Sequence, residues 1–230
     1  MVVYEIQASF EVLANLSSAD AVQPVITHHL PRLVNAGVHT APTGVIQDPA
    51  GVAIGSGRAP HRSGAGGASQ AIYAAFPDLE PIPNIPIGDS VLNRAEGVGA
   101  HVLHTHAPVL SGDPNSRDDV ERVLRQLTDV YERAIEVGLT ANPNASAANL
   151  TINLVPVSGR IFAGPFRDPA LDHLHPSYTI AAVLAALCRR SGNGSSPAET
   201  VIWVFDARVF RAAERSMESW RVVRGTHPGE

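Results

Sequence analysis

Short apolar runs of strand length alternate with longer segments of helical period along most of the chain. Residues 51–55, 100–106, 150–157 and 200–206 read as strands, the first ending in a glycine turn. Residues 68–76, 118–137, 178–190 and 207–220 read as helices. Successive parallel strands need a crossover long enough to hold a helix, so this alternation predicts a largely parallel sheet covered on both faces. The expected fold class is therefore α/β, with three layers.

The clearest helix is 118–137. Val120, Val123, Leu124, Leu127, Val130, Tyr131, Ala134 and Ile135 form one apolar stripe along it. Ser116 is expected to cap it, with Asp118, Asp119 and Glu121 near the positive end of its dipole and Gly138 ending it. Residues 2–7 read as a strand, and 17–37 as partly helical but interrupted by Pro24 and Pro31. Residues 58–67 and 191–197 read as loops, and 81–86, with three prolines, as an extended linker.

The chain has 230 residues, which suits one large α/β domain spanning 1–230. With 44% hydrophobic and 17% charged residues it can bury a substantial core. A net charge of -5 lacks the basic footprint of a nucleic-acid binder, but backbone amides can still hold an anion. The single cysteine, Cys188, rules out an internal disulfide and reads as a core residue in an Ala/Leu-rich helix. No apolar run approaches the ~20 residues of a membrane span, so no membrane partner is expected. The opening residues lack a basic stretch followed by an apolar block, so the expectation is a cytoplasmic or otherwise intracellular protein. The sequons at Asn15, Asn144, Asn149 and Asn193 then read as chance. A monomer is expected.

In parallel sheets ligands bind beyond the carboxyl ends of the strands. Three strand ends here carry unusual loops. The first includes Ser63, Gly64, Ala65, Gly66 and Gly67 directly before a helix, where first-turn amides can face a phosphate or ribose. By itself such a loop is equally a surface turn. The second runs through Val157, Ser158, Gly159, Arg160, Ile161 and Phe162, small residues with apolar cover. By itself it is equally a structural turn with a core phenylalanine. The third ends in Val204, Phe205 and Asp206; Phe205 could stack on a base or sugar face, or simply be core, and Asp206 could accept hydrogen bonds or cap the next helix.

Taken in order, these segments resemble the macrodomain family. Ala65-Gly66-Gly67-Ala68-Ser69-Gln70-Ala71-Ile72 is similar to the family's Gly-Gly-Gly-Val-x-x-Ala-Ile. His101 through Pro108 resembles the segment ending in Ile-His-x-x-Gly-Pro, and Leu127 with Tyr131 the Leu-x-x-x-Tyr helix. Val157 through Phe162 is similar to the phosphate loop Ile-Ser-x-Gly-Ile-Phe. Val204-Phe205-Asp206 resembles the strand end of viral macrodomains. The resemblance runs from about Gly51 to Trp220, leaving a divergent N-terminal segment of about 1–50.

The resemblance implies a three-layer α/β/α macrodomain with a central mixed, mostly parallel sheet. It implies binding of ADP-ribose, or of ADP-ribosyl groups on other molecules, without cofactor or metal. The implied ligand-binding residues are Asp20, Gly55, Ser56, Ala65, Gly66, Gly67, Ala68, Val157, Ser158, Gly159, Arg160, Ile161, Phe162, Phe205 and Asp206. Asp20 stands for the family's adenine-binding aspartate. The Asn-Ala-Ala-Asn stretch is matched to Gly55-Ser56-Gly57-Arg58, without an asparagine, and the acidic residue of some hydrolases to Ser69. Lacking these orienting groups, the chain is expected to bind with weak or absent hydrolysis; an active mono-ADP-ribosyl hydrolase is the alternative. Arg160 stands where the family has a second glycine, and its side chain is expected to turn to solvent.

Two other patterns compete. Val52 to Gly57 opens like a dinucleotide-binding fingerprint, which would make an NAD-dependent oxidoreductase, but the third glycine would fall at Pro60 and no helix begins there. His104 and His106 would share a strand face, with His101, His173 and His175 elsewhere, but spacing supplies only two ligands and no metal site is expected.

Overall fold

The computed structural model describes residue 25 and residues 30–49, 65–94, 100–141, 150–192 and 199–222. Its main sheet has six strands: β1 (Arg32–Val34), β2 (Gly44–Asp48), β3 (Ser90–Arg94), β4 (Ala100–Thr105), β5 (Thr151–Leu154) and β8 (Glu199–Trp203). A separate two-stranded ribbon pairs β6 (Arg167–Asp168) with β7 (His173–Leu174). The order across the main sheet is β1-β8-β5-β2-β4-β3. Every neighbouring pair is parallel except β3 with β4 at one edge. The sheet is thus mixed and mostly parallel, as expected.

Among the described residues four α-helices cover it: α1 (Gly67–Ala75), α2 (Arg117–Leu139), α3 (Pro176–Gly192) and α4 (Ala207–Val222). Adjacent residues of one strand enter opposite cores, because strand side chains alternate between faces. Val45, Leu103 and Ile202 join the core with α2, α3 and α4, whereas Ile46, Val102 and Val201 join the core with α1. Burial on both faces explains the unbroken apolar runs, and makes the three layers of the α/β/α architecture.

The stripe of α2 is buried from Val120 to Ile135, and the amide of Asp119 donates to the Ser116 hydroxyl at 3.4 Å, so the cap stands where expected. Gly138 does not end the helix. It is buried inside the last turn, where an added Cβ would lie 3.0 Å from Cδ1 of Ile152. Its role is close approach to the sheet.

The 150–157 run ends as a strand at Leu154, because Pro156 has no amide to continue the ladder. Residues 32–34, expected to be partly helical, form β1 beside β8. Pro31 blocks helix there, and three residues are too few for a periodic signal. β3 carries the buried polar residues Ser90 and Asn93 and therefore has no apolar alternation to betray it. The expected strands at 2–7 and 51–55 lie outside the described residues. Among the described residues, no helix is long and apolar enough to cross a membrane.

Candidate functional site

The carboxyl ends of β1, β8, β5 and β2 lie side by side, and beyond them opens a cavity of about 380 Å³. That volume falls within the range of small-molecule sites. Each strand contributes the residues that follow it. After β1 come Ala36, Gly37, Val38 and His39; after β2, Pro49. After β5 come Val155 and Pro156, and β8 supplies Trp203, Val204, Phe205 and Asp206. Gly67, Ala68 and Ala71 of α1 form another wall, with Val209 of α4. Among the described residues Arg160 and His173 complete the lining.

Side chains of the core fix these strand ends. The amide of Asn35 donates to the carbonyls of Val204, at 2.7 Å, and Phe205, at 3.3 Å, tying the end of β1 to the end of β8. Gln47 bridges its two neighbours: its Nε2 donates to Thr105 Oγ1 at 3.2 Å and its Oε1 accepts the Val155 amide at 3.1 Å. The Tyr131 hydroxyl donates to the Val155 carbonyl and accepts the Val157 amide, each at 3.0 Å. Burial pushes that phenol up to about 12, so it stays a neutral donor. The tyrosine of α2 thus clamps the start of the second loop from behind.

That loop is strained. Ser158 has φ 53° and Arg160 φ 51°, both in the left-handed region. The Ser158 hydroxyl is buried and donates to the Pro108 carbonyl at 2.6 Å, which holds its own residue in place. At Arg160 the positive φ gives the physical reason why a glycine would fit this position better. Arg160 is exposed and is one of the residues that line the cavity.

Of the residues expected at the site, Gly67, Ala68, Arg160, Phe205 and Asp206 meet at the cavity. Gly66 is the exposed N-cap of α1, where no side chain supplies a capping bond, and Ala65 packs on the neighbouring core. Val157 points into the core behind the loop, and Ser158 is occupied as described. Gly159 lies beneath the His173 ring. Ile161 is 76% exposed, and Phe162 offers its carbonyl to the Leu110 amide at 2.8 Å. None of Ala65, Gly66, Val157, Ser158, Gly159, Ile161 and Phe162 is in the lining. Asp20, Gly55 and Ser56 lie outside the described residues.

Phe205 is 82% exposed at the cavity mouth, so the core alternative does not hold for it. Asp206 does cap α4: its Oδ1 accepts the amides of Arg208 at 2.8 Å and Val209 at 3.4 Å. The Arg208 guanidinium and these amides hold its carboxyl down at about 2. The residues that sequence reasoning missed come mostly from 35–39, after a three-residue strand, and from His173, on a two-residue one. Neither strand is long enough to show a period. Asn35-Ala36, directly after the apolar pair Leu33-Val34, was the available signal.

Among the described residues no group of three or more His, Cys, Asp or Glu side chains is placed to hold a metal. His106 Nδ1 donates to the Ile85 carbonyl at 2.7 Å, and His104 is buried against Asp48 on the adjacent strand. Cys188 is buried in the core, which pushes its thiol up to about 12 and leaves it a poor nucleophile.

Solved structures that this architecture resembles include macrodomains. A mutant Oceanobacillus iheyensis macrodomain matches over 84% of this chain and 92% of its own, with TM-score 0.55 and 14% identity. The Trypanosoma brucei macrodomain in complex with ADP-ribose matches over 87% and 72%, with TM-score 0.54 and 17% identity. An alphavirus P23pro-zbd structure matches over 84% of this chain, TM-score 0.52 and 15% identity, although the match spans only 24% of that longer chain. No family model and no curated protein matches the sequence. At such identities the likeness establishes the fold, and the fold is that of macrodomains.

Proposed function

We propose that the cavity binds ADP-ribose, free or as an ADP-ribosyl group on another macromolecule. The observation that carries this reading is the mixed lining of the cavity. Val38, Val155, Trp203, Val204 and Val209 offer apolar surface suited to a base and a sugar face, with Phe205 exposed at the mouth. The same lining includes the first residues of α1, whose leading amides have no partner within the helix, and Arg160. Amides at a helix start and a nearby cation suit a diphosphate. The likeness to a Trypanosoma brucei macrodomain in complex with ADP-ribose supports the same ligand. Gly67, Ala68 and Arg160, which line the cavity, are the proposed diphosphate contacts.

Calorimetric titration with ADP-ribose and with NAD tests the reading. ADP-ribose is expected to bind at least about tenfold more tightly, a difference of about 1.4 kcal/mol. Equal affinities would overturn the reading and favour a dinucleotide site. Incubation with an ADP-ribosylated protein separates binding from hydrolysis: retention of the modification is expected, and release of free ADP-ribose would mark a hydrolase.

A further inference from the structure

His173 reaches the cavity from the β6–β7 ribbon, outside the main sheet. Its ring packs against Gly159: a Cβ added there would come within 2.2 Å of Nε2 and 2.4 Å of Cε1. Any larger residue at 159 would displace the imidazole. Nδ1 lies 3.1 Å from the Leu174 carbonyl. A carbonyl can only accept, so Nδ1 carries the proton of that bond, and in the neutral ring Nε2 is left as a bare acceptor. Among the described residues Nε2 has no hydrogen-bond partner, and it sits beside the strained loop that carries Arg160.

We infer that His173 is a ligand-contacting residue of this cavity, taking up a proton at Nε2 to donate to a diphosphate oxygen beside Arg160. The inference rests on the ADP-ribose reading above and adds to it a residue and a proton. Burial chiefly, and Arg160 in addition, disfavour the imidazolium. An anionic diphosphate reverses that balance, because an opposite charge favours the protonated ring. Binding therefore couples to proton uptake. Affinity is low above the pKa of the bound form, rises as pH falls through it, and levels off below the lowered pKa of the free form.

The other charged groups around the ring leave this role open. Asp206 faces it, but its oxygens are engaged by Arg208 and by the α4 amides. Asp168, the cross-strand partner of His173, accepts the amides of Ala170 and Leu171. Asp172 is paired with Arg167. His39, which packs over Gly37, is the second imidazole in the lining and the control for titration from that wall.

The test is calorimetric titration of ADP-ribose, and separately of inorganic pyrophosphate, at about pH 5.5 and about pH 7.5. It uses the wild type, His173→Gln and His39→Gln, with folding checked by circular dichroism at both pH values. The expected result is a gain of about threefold to tenfold in wild-type ADP-ribose affinity at the lower pH, flattened to within about twofold by His173→Gln. A gain that survives His173→Gln, or that disappears in His39→Gln instead, overturns the inference and leaves the ADP-ribose reading standing. If ADP-ribose does not bind but pyrophosphate shows the His173-dependent gain, the functional reading fails and this one stands. Binding of neither ligand overturns both.

Discussion

Asp48 Oδ2 and His104 Nδ1 meet at 2.7 Å across the parallel strands β2 and β4, with neither side chain exposed to solvent. Asp48 and His104 are register partners, so one ladder step places the two groups face to face. Ser69 of α1 donates to the other carboxylate oxygen at 2.5 Å, and the Tyr73 hydroxyl donates to Oδ2. Desolvation, then the Asp48 charge, push the Tyr73 phenol up, so it remains a donor. The cluster ties α1 to the sheet directly behind Pro49, Gly67 and Ala68 of the cavity.

Removing Asp48 would leave His104, Ser69 and Tyr73 without their shared acceptor. Asp48→Ala is therefore expected to destabilise the protein by about 3–5 kcal/mol, the range for breaking a buried pair. Asp48→Asn keeps one acceptor oxygen and should lose less. Urea unfolding of both variants checks this; a midpoint within error of wild type for Asp48→Ala would show that the cluster contributes no net stability.

Tyr131 supports the second loop through two backbone bonds. Tyr131→Phe leaves the Val155 carbonyl and the Val157 amide buried and unpaired. About 1–3 kcal/mol of stability is expected to be lost for each group left unsatisfied. The same change should weaken ADP-ribose binding, because the loop carrying Arg160 begins at Val157. An unaltered affinity with lowered stability would separate the loop from the ligand.

The layers were legible in the sequence because parallel strands buried on both faces must be apolar throughout, as in Val201-Ile202-Trp203-Val204. The stripe of α2 was legible for the same reason, one face meeting one core. The candidate site was legible where a loop of small or polar residues adjoins an apolar run or a helix, as at Gly67, Ala68, Arg160, Phe205 and Asp206. It was hidden where the supporting strand is two or three residues long, as at Asn35 to His39 and at His173, since no period fits in so few positions. The Asp48 cluster was hidden for another reason. Its members come from three segments distant in sequence, with Ser69 and Tyr73 one helical turn apart, and meet only through strand register and the placement of α1.

Ala68 is half-buried in the first turn of α1 and lines the cavity. Ala68→Glu would place a carboxylate beside the proposed diphosphate while still suiting a helix start. ADP-ribose affinity is expected to fall by more than about tenfold, with unfolding stability within about 0.5 kcal/mol of wild type. Normal affinity in this variant would move the diphosphate away from α1.

Arg160 unites strain and charge in one residue. At φ 51° its backbone holds a conformation that a side chain disfavours, so Arg160→Gly is expected to be more stable than Arg160→Ala by about 1 kcal/mol. Both variants lose the guanidinium equally. If that group pairs with a phosphate, the two should lose ADP-ribose affinity by similar factors, about tenfold or more, and the loss should shrink as salt screens the interaction. If the backbone amides hold the diphosphate alone, neither should lose more than about threefold. The cavity position of Arg160, beside His173, favours the larger loss. Titrations at low and high salt decide between the two. A salt-independent loss in Arg160→Ala that Arg160→Gly lacks would assign the effect to loop strain instead of charge.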